Sequence, residues 1–147
     1  MERNGHILVA EDDRTDAFFL ERTFSRAGIP VKFTFVNDGQ EVIDHLMKII
    51  GQERSEGSGP PDMLLLDINM PRLNGFEVLT WVRKQKALKK MLVVIFSSSD
   101  QPEDMERARK LGANSYIVKP HSIEGLNALV GDFKKAWGEG KGWARAA

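Results

Sequence analysis

Met63-Leu64-Leu65-Leu66-Asp67-Ile68-Asn69-Met70-Pro71 decides how the rest of the chain is read. An unbroken apolar run bounded by turn-forming residues predicts a strand buried on both faces, the environment of a central strand in a parallel sheet. Asp67 closes that strand, and Asn69, Met70, Pro71 and a Gly75 turn follow it. In open parallel sheets the chemistry gathers outside the carboxyl ends of the strands, so a carboxylate here is a candidate site residue. The same punctuation recurs on either side. Ile7-Leu8-Val9-Ala10 runs into Glu11 and Asp12, Met91-Leu92-Val93-Val94-Ile95-Phe96 into Ser97, and Tyr116-Ile117-Val118 into Lys119.

Between the apolar runs lie longer segments of helical period, which predicts five repeated β-α units and an α/β fold with a parallel sheet. The first helix is expected over residues 15–27, with Phe19, Leu20, Thr23, Phe24 and Ala27 on one face, Asp13 as its cap, and Gly28 with Pro30 to stop it. Val31-Lys32-Phe33-Thr34-Phe35-Val36 nearly alternates apolar and polar residues, the mark of a strand with one well-buried face, and so of a sheet edge. A second helix carries Val42, Ile43, Leu46, Met47 and Ile50 and ends at Gly51. Residues 52–62 are polar and rich in Gly, Ser and Pro, long for a helix-to-strand connection, and read as an extended surface loop. A third helix carries Phe76, Leu79 and Val82, with Trp81 off the stripe and partly exposed. A fourth, thinly apolar helix starts near Pro102 and stops at Leu111-Gly112. The last helix presents Ile123, Leu126, Leu129, Val130, Phe133 and Trp137. No repeat or second domain is visible: residues 1–137 form one unit, and 138–147 a short Gly-rich tail.

Composition narrows the function. The 147 residues suit one domain, and the absence of cysteine excludes disulfides, thiolate metal sites and a cysteine nucleophile. Any metal must be held by oxygen or imidazole. With 21 basic and 21 acidic residues the net charge is zero, so there is no global electrostatic case for nucleic acid or an anionic membrane. The amino terminus carries no signal-peptide core, and no apolar stretch is long enough to span a bilayer. A cytoplasmic protein without direct nucleic-acid or membrane contact is the expectation.

Glu11, Asp12 and Asp67 are all expected at one edge of the sheet. Mg2+ prefers oxygen ligands in near-octahedral geometry, commonly one or two carboxylates plus waters and a phosphate. Asp12 and Asp67 can supply carboxylates, a backbone carbonyl near Asn69 a further oxygen, and Glu11 a contact through water or an orienting bond to Asp12. With the acid charge neutralised, a phosphoryl group can approach and Asp67 can serve as the nucleophile that forms an aspartyl phosphate. Lys119 would set an ammonium against the phosphoryl oxygens, and the Ser97 hydroxyl would donate to the same group. Lys119-Pro120 is a candidate cis bond that would aim Lys119 inward.

These segments together resemble the receiver domain of two-component response regulators. The likeness spans about residues 7–137: residues 7–13 resemble the family's acidic pair, 64–75 its phosphoacceptor segment, 93–98 its switch hydroxyl, and 116–120 its Lys-Pro segment. The resemblance implies a flavodoxin-like doubly wound sheet of strand order 2-1-3-4-5. It further implies phosphorylation of Asp67 by a sensor histidine kinase or histidine phosphotransfer protein, Mg2+ at Asp12, Asp67 and the Asn69 carbonyl, and Ser97 with Tyr116 as a coupled switch pair. Ser97 stands where Thr is usual, and His121 where an apolar residue is common. Single-domain receivers with a lengthened loop before the phosphoacceptor strand resemble those paired with phytochrome kinases, and this chain shares that loop.

Plainer roles are expected elsewhere. Asp13 and Asp16 read as helix-start acids and Asn74-Gly75 as a turn. His6, His45 and His121 read as solvated or locally bonded imidazoles, and Arg83-Lys84-Gln85-Lys86 with Lys89-Lys90 as a solvated helix end. Trp137 is expected to pack on the body, and Trp143 to be either disordered or a docking plug. Because the receiver-like unit takes up nearly the whole sequence, output is expected through protein contact, with a homodimer through the fourth helix, fifth strand and fifth helix as one form. The alternative is a phosphohydrolase with an aspartyl intermediate, but such enzymes place a second acid two positions on, where this chain has Asn69. A nucleotide- or flavin-binding module is disfavoured because Glu11-Asp12-Asp13 stands where a Gly-rich phosphate loop would be.

Overall fold

A computed structural model describes residues 5–51 and 59–138. Most of the 52–62 loop, the Trp137 side chain and the tail with Trp143 lie outside the described residues. The elements in order are β1 (Gly5–Ala10), α1 (Arg14–Arg26), β2 (Val31–Val36), α2 (Gly39–Gly51), β3 (Met63–Leu66), α3 (Gly75–Arg83), a short 3-10 turn (Lys86–Leu88), β4 (Leu92–Ser97), α4 (Pro102–Leu111), β5 (Ser115–Val118) and α5 (Ile123–Gly138). All strand pairs are parallel, and the sheet runs β2-β1-β3-β4-β5. The strand order reverses between β1 and β3, and a crevice opens at the carboxyl ends of these two strands.

The unbroken apolar runs follow from the pleat. Along β3, Leu64 and Leu66 face one core while Met63 and Leu65 face the other, and β1 and β4 divide in the same way. One core lies beneath α2, α3 and α4 and the other beneath α1 and α5. The alternating strand, β2, is one edge of the sheet and has no fully buried residue. Helix α4 buries only Ala108, as its thin stripe predicts.

Several apolar positions differ from expectation. In α2 the packed face is Val42, Leu46 and Ile49, while Met47 and Ile50 are exposed. In α1 Leu20 and Phe24 are buried but Phe19 is exposed, and in α5 Ile123 is 63% exposed. Each helix carries a wider apolar stripe than one sheet face covers, and residues about 100° around from the packed row are left at the flank. Arg83 also departs from the solvated end expected of it: its guanidinium donates to the carbonyls of Gly112 (2.9 Å) and Met91 (3.1 Å) and to the Asn114 side chain (2.8 Å). Lys84, Lys86, Lys89 and Lys90 are exposed as predicted. His45 is not solvated as expected, for its Nε2 is buried without a partner, while His6 Nε2 meets Thr34 Oγ1 at 2.8 Å. No described helix is long and apolar enough to cross a membrane.

Candidate functional site

Three backbone hydrogen bonds carry the sheet ladder one residue past the strands. Glu11 N–H donates to Val36 O (3.1 Å), Asp67 N–H to Ala10 O (3.2 Å) and Lys119 N–H to Ser97 O (2.8 Å). Glu11, Asp67 and Lys119 are thereby held by rigid strands although they stand in loops. Gly75 is required by the same crevice, since a Cβ there would sit 2.5 Å from the Asp67 carbonyl oxygen. Asn74 does more than turn the chain: it caps α3, accepting from Glu77 N while Glu77 returns a bond to Asn74 N.

Lys119 stands at the centre. Its Nζ lies 2.5 Å from Glu11 Oε1, 3.1 Å from Asp67 Oδ2 and 3.1 Å from Asp16 Oδ2. The Glu11 and Asp67 residues are each 5% exposed. Ligand oxygens of Glu11, Asp12 and Asp67 all lie within 4.8 Å of one another, with Asp12 facing solvent. Asp67 Oδ1 also accepts the Asn69 N–H at 3.1 Å, and Glu11 Oε2 the Asp13 N–H at 3.1 Å. Asp13 caps α1 through bonds from the Thr15 and Asp16 amides, as its sequence position predicts.

One ammonium among several carboxylates leaves acid charge uncompensated. Burial pushes the Glu11 carboxyl from 4.5 up to about 7, against the pull of its hydrogen bonds from Lys119 and Asp13, and the Asp67 charge pushes the same way. Burial alone would lower Lys119, but the hydrogen bond to Glu11 and the charges of Asp67 and Glu11 outweigh it and hold the ammonium well above its ordinary range. Such a cluster of oxygen donors with surplus negative charge suits a small hard cation.

Ser97 is fully buried at the end of β4, and its Oγ accepts the Ser99 N–H at 3.3 Å. Tyr116 on β5 donates its hydroxyl to Ser99 O at 2.8 Å. Glu11, Asp12, Asp67, Asn69, Ser97 and Lys119 thus lie along one edge of the sheet, with Tyr116 next to Ser97 through the β4-α4 connection. Lys119 reaches the acids with a trans Lys119-Pro120 bond, since no cis peptide occurs among the described residues. The trans form is the ordinary preference even before proline, and the strand register already aims the side chain.

Sequence reasoning misses one participant of the site, Asp16, and outside the site the cap that Asp38 makes. Asp16 reads as a helix-start acid, yet its carboxylate pairs with Lys119 from 103 positions away. Asp38 is 7% exposed, caps the start of α2 by accepting from Glu41 N, and lies 3.6 Å from Arg72 Nε. The Asp38-Gly39-Gln40-Glu41 spacing is a readable cap signal; nothing local marks Asp16.

Comparison with known proteins agrees with this geometry. The family model for the response regulator receiver domain matches residues 7–131. A probable methanogenesis regulatory protein, FilR2 of Methanothrix harundinacea, is 34% identical over 140 residues, 95% of this chain and 86% of that protein. Response regulator Rcp1 of Synechocystis is 27% identical over 131 residues, 89% of this chain and 87% of Rcp1. The Mn2+-bound Rcp1 structure superposes with a TM-score of 0.77 at 26% identity, covering 90% and 94% of the two chains. The phosphorylated cyanobacterial phytochrome response regulator RcpA superposes at 0.80, with 27% identity and coverage of 92% and 94%. With most of its length matched and the acids, hydroxyl and lysine ordered along one sheet edge, the chain belongs to the response regulator receiver domain family of two-component signalling proteins.

Proposed function

We propose that this protein is a single-domain response regulator that accepts a phosphoryl group on Asp67 from the phosphohistidine of a sensor histidine kinase or histidine phosphotransfer protein. The observation that carries the reading is the Lys119 ammonium held between buried Glu11 and Asp67. An Asp67 carboxylate oxygen attacks phosphorus, the phosphorus-nitrogen bond to the donor imidazole breaks, and an acyl phosphate remains on Asp67. Lys119 gives up its contact with Asp67 to face the phosphoryl oxygens, and the Ser97 hydroxyl donates to them. Asp12, Asp67 and the Asn69 carbonyl would hold Mg2+, with Glu11 acting through water or by orienting Asp12. When bound, the ion supplies charge neutralisation for the incoming phosphoryl group. The existence of a Mn2+-bound form of the relative Rcp1 supports a divalent cation in this chain.

Residues 1–137 form the receiver on this reading, followed by the 138–147 tail. The chain acts on no substrate beyond its own acyl phosphate, whose hydrolysis resets it. Likeness to Rcp1 and RcpA favours a phytochrome-type kinase as donor. Output passes through protein contacts in the cytoplasm, with a homodimer through α4, β5 and α5 as its form; the thin apolar face of α4 and the exposed Ile123 support that surface. A phosphohydrolase role lacks its general acid, because Asn69 stands where it is needed. Incubation with acetyl phosphate and Mg2+, followed by intact mass measurement, is expected to show one base-labile phosphoryl group on the native chain and none on Asp67→Asn. A folded native chain that gains none refutes the reading. Sedimentation velocity tests the dimer, and a monomer with and without a beryllofluoride mimic rejects it.

A further inference from the structure

A lysine ammonium carries three N–H donors, and at Lys119 three carboxylates from three different elements meet them. Glu11 Oε1 and Asp67 Oδ2 come from the ends of β1 and β3, whereas Asp16 Oδ2, at 3.1 Å, comes from the first turn of α1, outside the sheet. The backbone of that turn is fixed separately, because Asp13 accepts from the Thr15 and Asp16 amides. The Asp16 side chain takes no part in this cap and extends to Lys119 instead.

Phosphoryl transfer to Asp67 requires Lys119 to leave Asp67 Oδ2. Held by Glu11 alone, the ammonium would pivot about one hydrogen bond at the end of a flexible four-carbon stem. Held by Glu11 and Asp16 together, it is fixed from two directions, and the N–H that Asp67 releases stays aimed at the space beside that carboxylate. We propose that Asp16 is a positioning residue for phosphoryl transfer, holding the Lys119 ammonium in place while Asp67 releases it. This rests on Asp67 being the phosphoacceptor. A donor held in this way raises the rate because it needs no reorientation as charge develops. Asp16 also brings a negative charge that opposes an incoming phosphoryl group, but its side chain is 44% exposed, so water and salt screen that repulsion. The lysine side chain is 14% exposed, and the bond that holds it is screened much less. Positioning therefore outweighs repulsion.

Isotope labelling of the lysine side-chain nitrogens reports the ammonium by NMR, and the Lys119 signal is the one absent from Lys119→Met. In the native chain without added metal it is expected to exchange slowly with water. Asp16→Ala should lose or shift that signal, and Asp16→Asn, which keeps an acceptor oxygen, should retain it. With acetyl phosphate and Mg2+, intact mass measurement should find phosphorylation slowed about tenfold in Asp16→Ala and within about threefold of native in Asp16→Asn. Asp16→Ser, too short to reach Lys119 and suited to a first helical turn, should behave as Asp16→Ala and replaces it if the alanine chain does not fold. A folded Asp16→Ala or Asp16→Ser chain phosphorylated at the native rate overturns the proposal. An Asp16→Asn chain as slow as Asp16→Ala also overturns it, since the charge of Asp16 and not its hold on Lys119 would then set the rate. Failure of the native chain to gain a phosphoryl group at all is a different result, and overturns the reading of Asp67 itself.

Discussion

Replacing Glu11 by Gln should change how stability responds to pH, in a direction fixed by the crowded acid cluster. Glu11 titrates at about 7 in the folded chain against an ordinary 4.5, because burial and the neighbouring Asp67 charge outweigh the pull of Lys119 and of the Asp13 N–H. A raised carboxyl means that the folded state binds the proton more tightly than the unfolded state. Its stabilising contribution is complete below the unfolded value and is lost as pH rises through the folded one. The full span is about 3 kcal/mol, of which about 2 kcal/mol falls between about pH 5 and about pH 8. His6 and His45, both lowered by burial, work in the opposite sense over part of this range, since they resist protonation in the folded chain. They are present in both proteins and cancel in the comparison. Urea unfolding of the native chain and Glu11→Gln, with a chelator present, should therefore show the variant gaining about 2 kcal/mol relative to native between the lower and the higher pH. A gap constant to within about 0.5 kcal/mol across that range would refute the account of Glu11 as an under-compensated buried acid.

Added Mg2+ should stabilise the native chain at about pH 8 by about 2.7 kcal/mol when its concentration is a hundredfold above Kd, and Asp12→Asn or Asp67→Asn should lose most of that gain in thermal unfolding. Gly75→Ala places a methyl group against the Asp67 carbonyl, where backbone must yield, so it should cost about 1 to 3 kcal/mol in urea unfolding and weaken cation binding with it. Arg72 adopts φ 69° in a turn closed by Leu73 N–H to Pro71 O at 2.9 Å. Its contact with Asp38 is long and its side chain 71% exposed, so Arg72→Gly should be neutral to stabilising by about 1 kcal/mol, and a loss beyond about 1 kcal/mol would show that the Asp38 contact matters more than the strain.

Much of the fold and of the candidate site was legible in the sequence. Runs of apolar residues ending in Glu11, Asp67, Ser97 and Lys119 placed these groups at strand ends, because a two-faced sheet demands unbroken apolar strands and leaves polar groups only where they stop. The edge position of β2 was readable from its alternation. Helix flanks were read less well: Phe19, Met47, Ile50 and Ile123 satisfy the helical period but face outward, since periodicity gives a stripe and not the width that neighbours cover.

By itself, then, the chain determined its elements, their parallel arrangement and the identity of the groups at one sheet edge, all of which depend on local pattern. Tertiary structure alone decided which of those groups touch. Asp16 reaching Lys119, Arg83 bonding Gly112, Met91 and Asn114, and Ser99 joining Ser97 to Tyr116 are contacts between chain segments whose separation is set by the sheet. The pKa of Glu11 belongs to the same class. It follows from burial and from the Asp67 charge set against Lys119, quantities that exist only once distant strand ends have been brought together.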